Sequence, residues 1–154
     1  MAEKKSKLNK NNSLMVTSRH NARQYALLAL YEWLLNKKPS ADYFSSCKID
    51  DGNKEVDKNY LKVIVTGTIN NISKLEEAIT PALDRTISTV SPVERAVLMI
   101  GAFEILQQKQ IPYRVIIDEA VELAKEYGGT DGHKFVNGVL DKLARTLRPD
   151  ELNA

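Results

Sequence analysis

The segment SPVERAVLMIGAFEIL, residues 91–106, decides the fold of this chain. It opens with Ser91-Pro92 and carries Glu94 three residues after the serine. This is a strong helix start, because serine caps a helix, proline suits its first position and glutamate suits its third. Beyond the first turn the segment is apolar nearly all round, interrupted only by Glu104. A helix of this kind is buried on most sides, so the segment predicts the central helix of the protein.

Helical spacing of apolar residues predicts further helices on both sides of this segment. They cover about 18–36, 40–46, 56–79, 112–127 and 131–148, with a short turn after Pro81. Thr17 or Ser18 is expected to cap the first of them, and Asn70-Asn71 is expected to bend or split the third. The sequence has no alternating strand pattern. It therefore predicts an all-α domain, with two small helical subdomains packed around the buried central helix.

Bulk composition excludes several classes of protein. Apolar residues make up 43% of the 154 residues, which suffices for one core, and the net charge of +2 is too mild to indicate a nucleic-acid partner. The single cysteine, Cys47, excludes an internal disulfide and a cysteine-rich metal site. No apolar run reaches the roughly 18 residues of a membrane span. With no secretory signal at the N-terminus, we expect a cytoplasmic protein without membrane contact.

The positive charge is concentrated near the N-terminus, where the first 24 residues contain a single acid, Glu3, and six basic residues. These are Lys4, Lys5, Lys7, Lys10, Arg19 and Arg23. Residues 1–17 are mostly Lys, Asn and Ser, which bury too little surface to offset the entropy of ordering. We therefore expect a flexible basic tail over 1–17, a helical domain over 18–149 and a short C-terminal tail over 150–154.

The sequence supplies little for catalysis. His20 and His133 lie on different helices, and there is no catalytic triad motif, zinc-protease motif or glycine-rich phosphate loop. We expect no enzyme activity, no cofactor and no metal. Glu104 is the most unusual carboxylate, because its neighbours are apolar, and two interpretations remain open for it. It faces a polar group at the edge of the core, or it contacts a partner protein.

Two helix starts are candidate RNA-binding sites. On the first helix, Arg19, His20 and Arg23 share the side that leucines occupy further along, which suggests a basic end that projects past the core. Guanidinium groups four residues apart suit phosphate binding, although an ordinary solvated helix end has the same pattern. On the last helix, Lys134 and Phe135 lie in the first turn, with Phe135 at the edge of the apolar stripe. Such a corner suits base stacking, although core-edge packing of Phe135 explains the pattern equally.

Four ordered blocks of sequence carry a resemblance to a known family. They are Ala22-Arg23 with ALYEW (29–33), VERAVLMI (93–100), IPYRVIIDEAVELAK (111–125) and HKFVNGVLDK (133–142). Together they resemble the NusB family of transcription antitermination factors, from about Arg19 to Pro149, and the last block is the most specific match.

The resemblance implies an all-α fold and a non-catalytic function. It implies binding to the boxA element of ribosomal-operon RNA together with the ribosomal protein NusE, within an RNA polymerase complex that resists termination. The RNA-contacting residues that it implies are Arg19, His20 and Arg23 at the first helix, and Asp131, Lys134 and Phe135 at the last. Tyr31 and Glu94 match positions on the NusE-facing surface and the partner interface.

One departure and two alternatives accompany this interpretation. Family members often carry three or more arginines where this chain has Ser18-Arg19-His20-Asn21, which weakens the expected arginine–phosphate contact. The lysines of the tail supply charge but not the planar fork of arginine. The first alternative is a homodimeric interaction protein whose RNA face is masked. The second is an RNA-binding accessory domain of an rRNA methyltransferase, for which the sequence offers no parallel-sheet domain.

Overall fold

The computed structural model describes residues 2–37 and 55–152, with side chains from Ser13 onward. In this part of the chain the helices are α1 (Ala2–Asn36), α2 (Lys58–Asn70), α3 (Ile72–Ile79), α4 (Pro92–Gln107), α5 (Tyr113–Tyr127), α6 (Gly132–Leu147) and α7 (Pro149–Leu152). Two 3₁₀ turns, Thr80–Ala82 and Ile87–Thr89, lie between α3 and α4. The described residues contain no strand, which confirms the predicted all-α class.

Helix α4 is the central helix, as its sequence predicts. Every residue from Ala96 to Ile105 is buried, and Ser91 caps the helix by accepting a hydrogen bond from the Glu94 backbone N–H at 3.3 Å. Helix α1 packs with α2, α5 packs with α6, and both pairs pack against α4. The two small groups of helices therefore share one apolar core, and α4 is common to both.

The helix boundaries between α2 and α4 follow local sequence signals. Asp57 caps α2 by accepting from the Tyr60 backbone N–H at 3.0 Å. The predicted split occurs at Asn71, whose side-chain amide donates to the Gly67 carbonyl at 2.7 Å. Such side-chain bonds to the backbone compete with the regular helical pattern and end the helix there.

The first helix starts much earlier than predicted. Helix α1 begins at Ala2 rather than near Ser18, and no proline or glycine interrupts it from there to Asn36. The expected cap at Thr17 or Ser18 is wrong, because both hydroxyls donate backward, to the carbonyls of Ser13 at 2.9 Å and Met15 at 3.0 Å. This bonding is typical of a helix interior. The flexibility expected for residues 1–17 stays a prediction.

The C-terminal segment folds back on the domain. Arg148 is buried, and its guanidinium donates to the carbonyls of Glu104, Ile105 and Gln108, which lie at the end of α4. Glu151 binds Arg148 and accepts from the Tyr113 backbone N–H at 3.0 Å. Residues 150–152, expected to be a tail, therefore join the end of α4 to the start of α5.

Two further expectations concern other parts of the chain. The short helix predicted at 40–46 and Cys47 lie outside the described residues. Among the helices that are described, none is both long enough and apolar enough to cross a lipid bilayer.

Candidate nucleic-acid interface

The first candidate site, here called the α1 corner, comprises Arg19, His20 and Arg23. The structure does not place Arg23 on a projecting helix end. Its side chain is only 3% exposed, and it forms a two-pronged ion pair with Glu104 on α4, with Nε–Oε1 at 3.0 Å and Nη2–Oε2 at 2.8 Å. The expected exposure of Arg23 is therefore wrong, because a buried carboxylate binds the guanidinium that a phosphate would need.

Glu104 forms the centre of a buried polar cluster. Besides Arg23 it binds the Tyr60 hydroxyl, which donates to Oε2 at 2.5 Å. Burial, together with the negative charge of Glu104, raises the pKa of Tyr60 well above its ordinary value, so the phenol stays a proton donor. The expectation that Glu104 faces a polar group is confirmed, although the group lies inside the core rather than at its edge.

His20 connects α1 to α5. Its Nδ1 lies 2.5 Å from Glu119 Oε2, and its Nε2 lies 3.2 Å from Glu126 Oε1. Burial lowers the pKa of His20, but the hydrogen bonds and negative charges of Glu119 and Glu126 outweigh it, so the pKa is raised. Both ring nitrogens are thus engaged within the protein, and His20 holds the basic turn of α1 against α5.

Arg19 is the most accessible member of the α1 corner. Its side chain is 30% exposed, its Nε lies 3.9 Å from Asp57 Oδ2, and its guanidinium carbon lies 4.9 Å from the centre of the Tyr60 ring. Among the described residues its Nε has no hydrogen-bond partner. Because this Nε atom is itself buried, Arg19 can contact a phosphate only through the exposed part of its side chain.

The second candidate site, here called the α6 corner, comprises Asp131, Lys134 and Phe135. The side chains of Asp131 and Lys134 are 77% and 73% exposed, and they form a loose ion pair at 3.6 Å. Asp131 is the cap residue of α6, but its side chain makes no capping hydrogen bond. Phe135 is half-buried against the core, as its place at the edge of the apolar stripe predicts. This corner thus presents a cation and an aromatic ring to solvent.

Glu94 supports the loop that carries the α6 corner. Its Oε1 accepts a hydrogen bond from the Gly129 backbone N–H at 3.3 Å. A Cβ atom added at Gly132 would clash with the same oxygen, so the start of α6 approaches Glu94 as closely as glycine allows. The family resemblance matches Glu94 to a partner surface, whereas in the structure Glu94 contacts its own chain.

Tyr31 lies on a separate surface. It is 38% exposed and shares one face of α1 with Leu28 and Leu35, which are 51% and 58% exposed. We call these three residues the α1 apolar strip. Large apolar side chains grouped in this way mark contact surfaces for other molecules.

Arg85 also belongs to the α6 corner, although the sequence indicated only a turn there. Its guanidinium carbon lies 4.4 Å from the centre of the Phe135 ring. No local pattern could have indicated this contact, because Arg85 lies in the α3–α4 connection and Phe135 lies 50 residues later, in α6. In the described part of the chain, no group of three or more His, Cys, Asp or Glu side chains is placed to hold a metal ion.

The sequence profile of the NusB family matches residues 20–145. This chain belongs to the NusB family. The transcription antitermination protein NusB of Burkholderia cenocepacia (strain HI2424) is 49% identical over 138 residues, which is 90% of this chain and 95% of that protein. Apart from Arg19, the family match thus includes both candidate corners and the helices between them.

Two solved structures of NusB proteins share this fold. T. maritima NusB superposes with a TM-score of 0.78 at 28% identity, covering 88% of this chain and 96% of that one. NusB from a crystal structure of antitermination factors NusB and NusE in complex with dsRNA gives a TM-score of 0.75 at 28% identity. That comparison covers 84% of this chain and 97% of the other. The NusB fold seen beside RNA and NusE is thus the fold of this chain.

Proposed function

We propose that this chain is a non-catalytic transcription antitermination factor of the cytoplasm that binds boxA RNA of ribosomal RNA operons together with NusE. In this role it joins an RNA polymerase complex that resists termination. The observation that carries the proposal is the similarity to NusB solved together with NusE and dsRNA, over 84% of this chain. The identity of 49% to a transcription antitermination protein supports the same regulatory role.

The proposed RNA surface uses the two corners unequally. At the α6 corner, Lys134 supplies positive charge for phosphate, Phe135 supplies the aromatic ring of a base-stacking site, and Asp131 lies beside them. At the α1 corner, Arg19 contacts phosphate. We propose that His20 and Arg23 contribute by holding α1 in position rather than by direct contact, because both are bound to carboxylates of the protein.

The proposed NusE-facing surface is the α1 apolar strip, with Tyr31 at its centre. Its exposed apolar side chains suit a protein partner rather than RNA. The same strip is the feature that favours the alternative of a homodimer, because a second copy can cover it equally well. We propose NusE as the partner of Tyr31, while Glu94 acts through the loop of the α6 corner.

A titration tests the proposed function. The full chain is mixed with boxA RNA or with scrambled RNA of the same composition, with and without NusE, at two salt concentrations. We expect a preference for boxA that NusE strengthens, and a loss of affinity with salt that reflects release of counterions from phosphates. Equal affinity for boxA and scrambled RNA in both conditions would contradict the proposal. A stable dimer that excludes RNA, seen as a doubled mass at binding concentrations, would favour the homodimer instead.

A further inference from the structure

Arg85 contacts Phe135, and none of the functions proposed above for residues of the α6 corner accounts for this contact. Arg85 lies in the connection between α3 and α4, and its guanidinium lies over the Phe135 ring of α6 at 4.4 Å. Its Nε also binds Asp84 Oδ1 at 2.8 Å, yet the Arg85 side chain remains 49% exposed. The Phe135 ring and the Asp84 carboxylate thus both contact the guanidinium, and about half of the Arg85 side chain stays accessible to solvent.

This pair lines a groove between the α3–α4 connection and the start of α6. The groove has a volume of about 370 Å³, and its lining includes Arg85, Thr89, Thr130 and Phe135. Glu94 lies in the lining as well, where it binds the Gly129 backbone N–H. Small-ligand sites span roughly 300–1,000 Å³, so the groove is large enough for a single nucleotide.

The chemistry of the pair suits an unpaired base. Proteins that recognise single-stranded RNA stack bases on aromatic rings and on the planes of arginine guanidinium groups. A guanidinium already held by a ring and a carboxylate loses little further freedom when a base stacks on its open side. Its N–H groups that do not bind Asp84 remain available to an adjacent phosphate.

We propose that Arg85 binds RNA, with one unpaired base stacked on the outer side of its guanidinium and Phe135 supporting the inner side. This inference rests on the proposed RNA-binding function and adds to it a residue and a stacking order. The Phe135 ring, the Arg85 guanidinium and the base then form three layers, so Phe135 acts on the base only through Arg85. The effects of removing either residue are therefore expected to overlap rather than to add.

The test combines affinity with a signal for stacking. Single-stranded boxA RNA carrying the fluorescent base 2-aminopurine at one position at a time is titrated with the wild type and with Arg85→Ala, Arg85→Lys, Phe135→Leu and the double variant Arg85→Ala/Phe135→Leu. In the wild type we expect quenching at one position. We expect Arg85→Ala to weaken binding about 5- to 150-fold, the range for loss of one stacked base, and to abolish that quenching. The double variant is expected to bind about as weakly as Arg85→Ala alone.

Arg85→Lys and Arg145→Ala serve as controls. Lysine keeps the charge but lacks the plane, so we expect the salt dependence to remain and the quenching to disappear. Arg145 is also exposed and ion-paired, with Asp141 at 3.0 Å, but it lies in the last turn of α6, so Arg145→Ala is expected to leave the quenching unchanged.

Two results would overturn the inference alone, provided that the wild type binds boxA. They are an Arg85→Lys variant that binds and quenches like the wild type, and an Arg85→Ala variant that loses no more affinity than Arg145→Ala. A wild type that binds no RNA would overturn the proposed function together with this inference. Circular dichroism of each variant confirms that a loss of binding is not a loss of folding.

Discussion

The α1 corner and the α6 corner look alike in sequence and differ in structure. In each corner, one or more basic side chains lie on a helix near one end of its apolar stripe. In the α1 corner, Arg23 is 3% exposed and His20 is held between two carboxylates. In the α6 corner, Lys134 is 73% exposed and is bound only loosely. We therefore expect a phosphate site where the fold leaves a basic side chain exposed, as at Lys134, and not where buried carboxylates bind it, as at Arg23.

The energies of the two corners should differ for the same reason. A buried ion pair is costly to break, because the remaining partner is left as an uncompensated charge in the core. An exposed pair contributes roughly 0–1 kcal/mol, because water and salt screen it. Substitutions of Arg23 and His20 are therefore expected to act mainly on stability, and substitutions of Arg19 and of the α6 corner mainly on RNA binding.

The largest expected effect is that of Arg23→Ala. Removal of this guanidinium leaves Glu104, which is 1% exposed, without its charged partner. We expect the free energy of unfolding to fall by about 3–5 kcal/mol, measured by urea denaturation followed by circular dichroism. The matched control is Arg145→Ala, which removes an exposed arginine from an ion pair with Asp141 and should change stability by less than about 1 kcal/mol. A stable Arg23→Ala variant that has lost RNA affinity would reverse the assignment and make Arg23 a direct RNA contact.

The comparison also shows which features a sequence can predict. The position of α4 follows from its own residues, since the cap at Ser91 and the apolar run are local signals. The half-buried position of Phe135 follows from the stripe of α6 in the same way. The burial of Arg23 does not, because it depends on Glu104, which lies 81 residues away. An arginine shows no local sign of the carboxylate that the fold places opposite it.

The early start of α1 shows a second limit. Polar residues from Ala2 to Thr17 suggest a tail on energetic grounds, because they bury little surface. The helix nonetheless extends through them, since the segment contains no proline or glycine to interrupt it. Composition thus indicates how much a segment gains from packing, but it does not fix the conformation that the segment adopts.

The next largest effect is expected for Phe135→Leu in the α6 corner. Leucine keeps most of the apolar volume that packs against the core, so the free energy of unfolding should fall by less than about 1.5 kcal/mol. The loss of the aromatic face should weaken boxA binding by about 1–3 kcal/mol, measured by fluorescence anisotropy. Tyr31→Leu on the α1 apolar strip is the control, because it removes another partly exposed ring and should leave RNA binding by the chain alone unchanged. A large drop in stability with intact RNA affinity would show that Phe135 is a core residue only.

A smaller effect is expected for Arg19→Ala, which tests the accessible part of the α1 corner. Its side chain is 30% exposed and its nearest carboxylate lies 3.9 Å away, so it can exchange that contact for a phosphate. We expect boxA affinity to fall by about 1 kcal/mol, and the slope of log affinity against log salt to become shallower by about 1. The slope separates phosphate contact from indirect effects. An unchanged slope at reduced affinity would indicate that Arg19 acts only by packing on Tyr60.

The smallest effect is expected from the protonation of His20, and it tests whether this residue positions α1. Its pKa is raised above the ordinary 6.5, because Glu119 and Glu126 outweigh the opposing effect of burial. A group whose pKa is higher in the folded state stabilises the fold fully below its unfolded pKa, and this contribution is lost as the pH rises through the folded value. The difference in unfolding free energy between the wild type and His20→Gln should therefore be largest just below pH 6.5 and should shrink toward pH 8, which urea denaturation at half-unit steps can measure. Glu126→Gln should reduce this pH dependence, because it removes one of the two carboxylates that face the ring. A difference that grows with rising pH would mean that burial dominates and that His20 is neutral in the folded protein, so that it forms no ion pair with the carboxylates of α5.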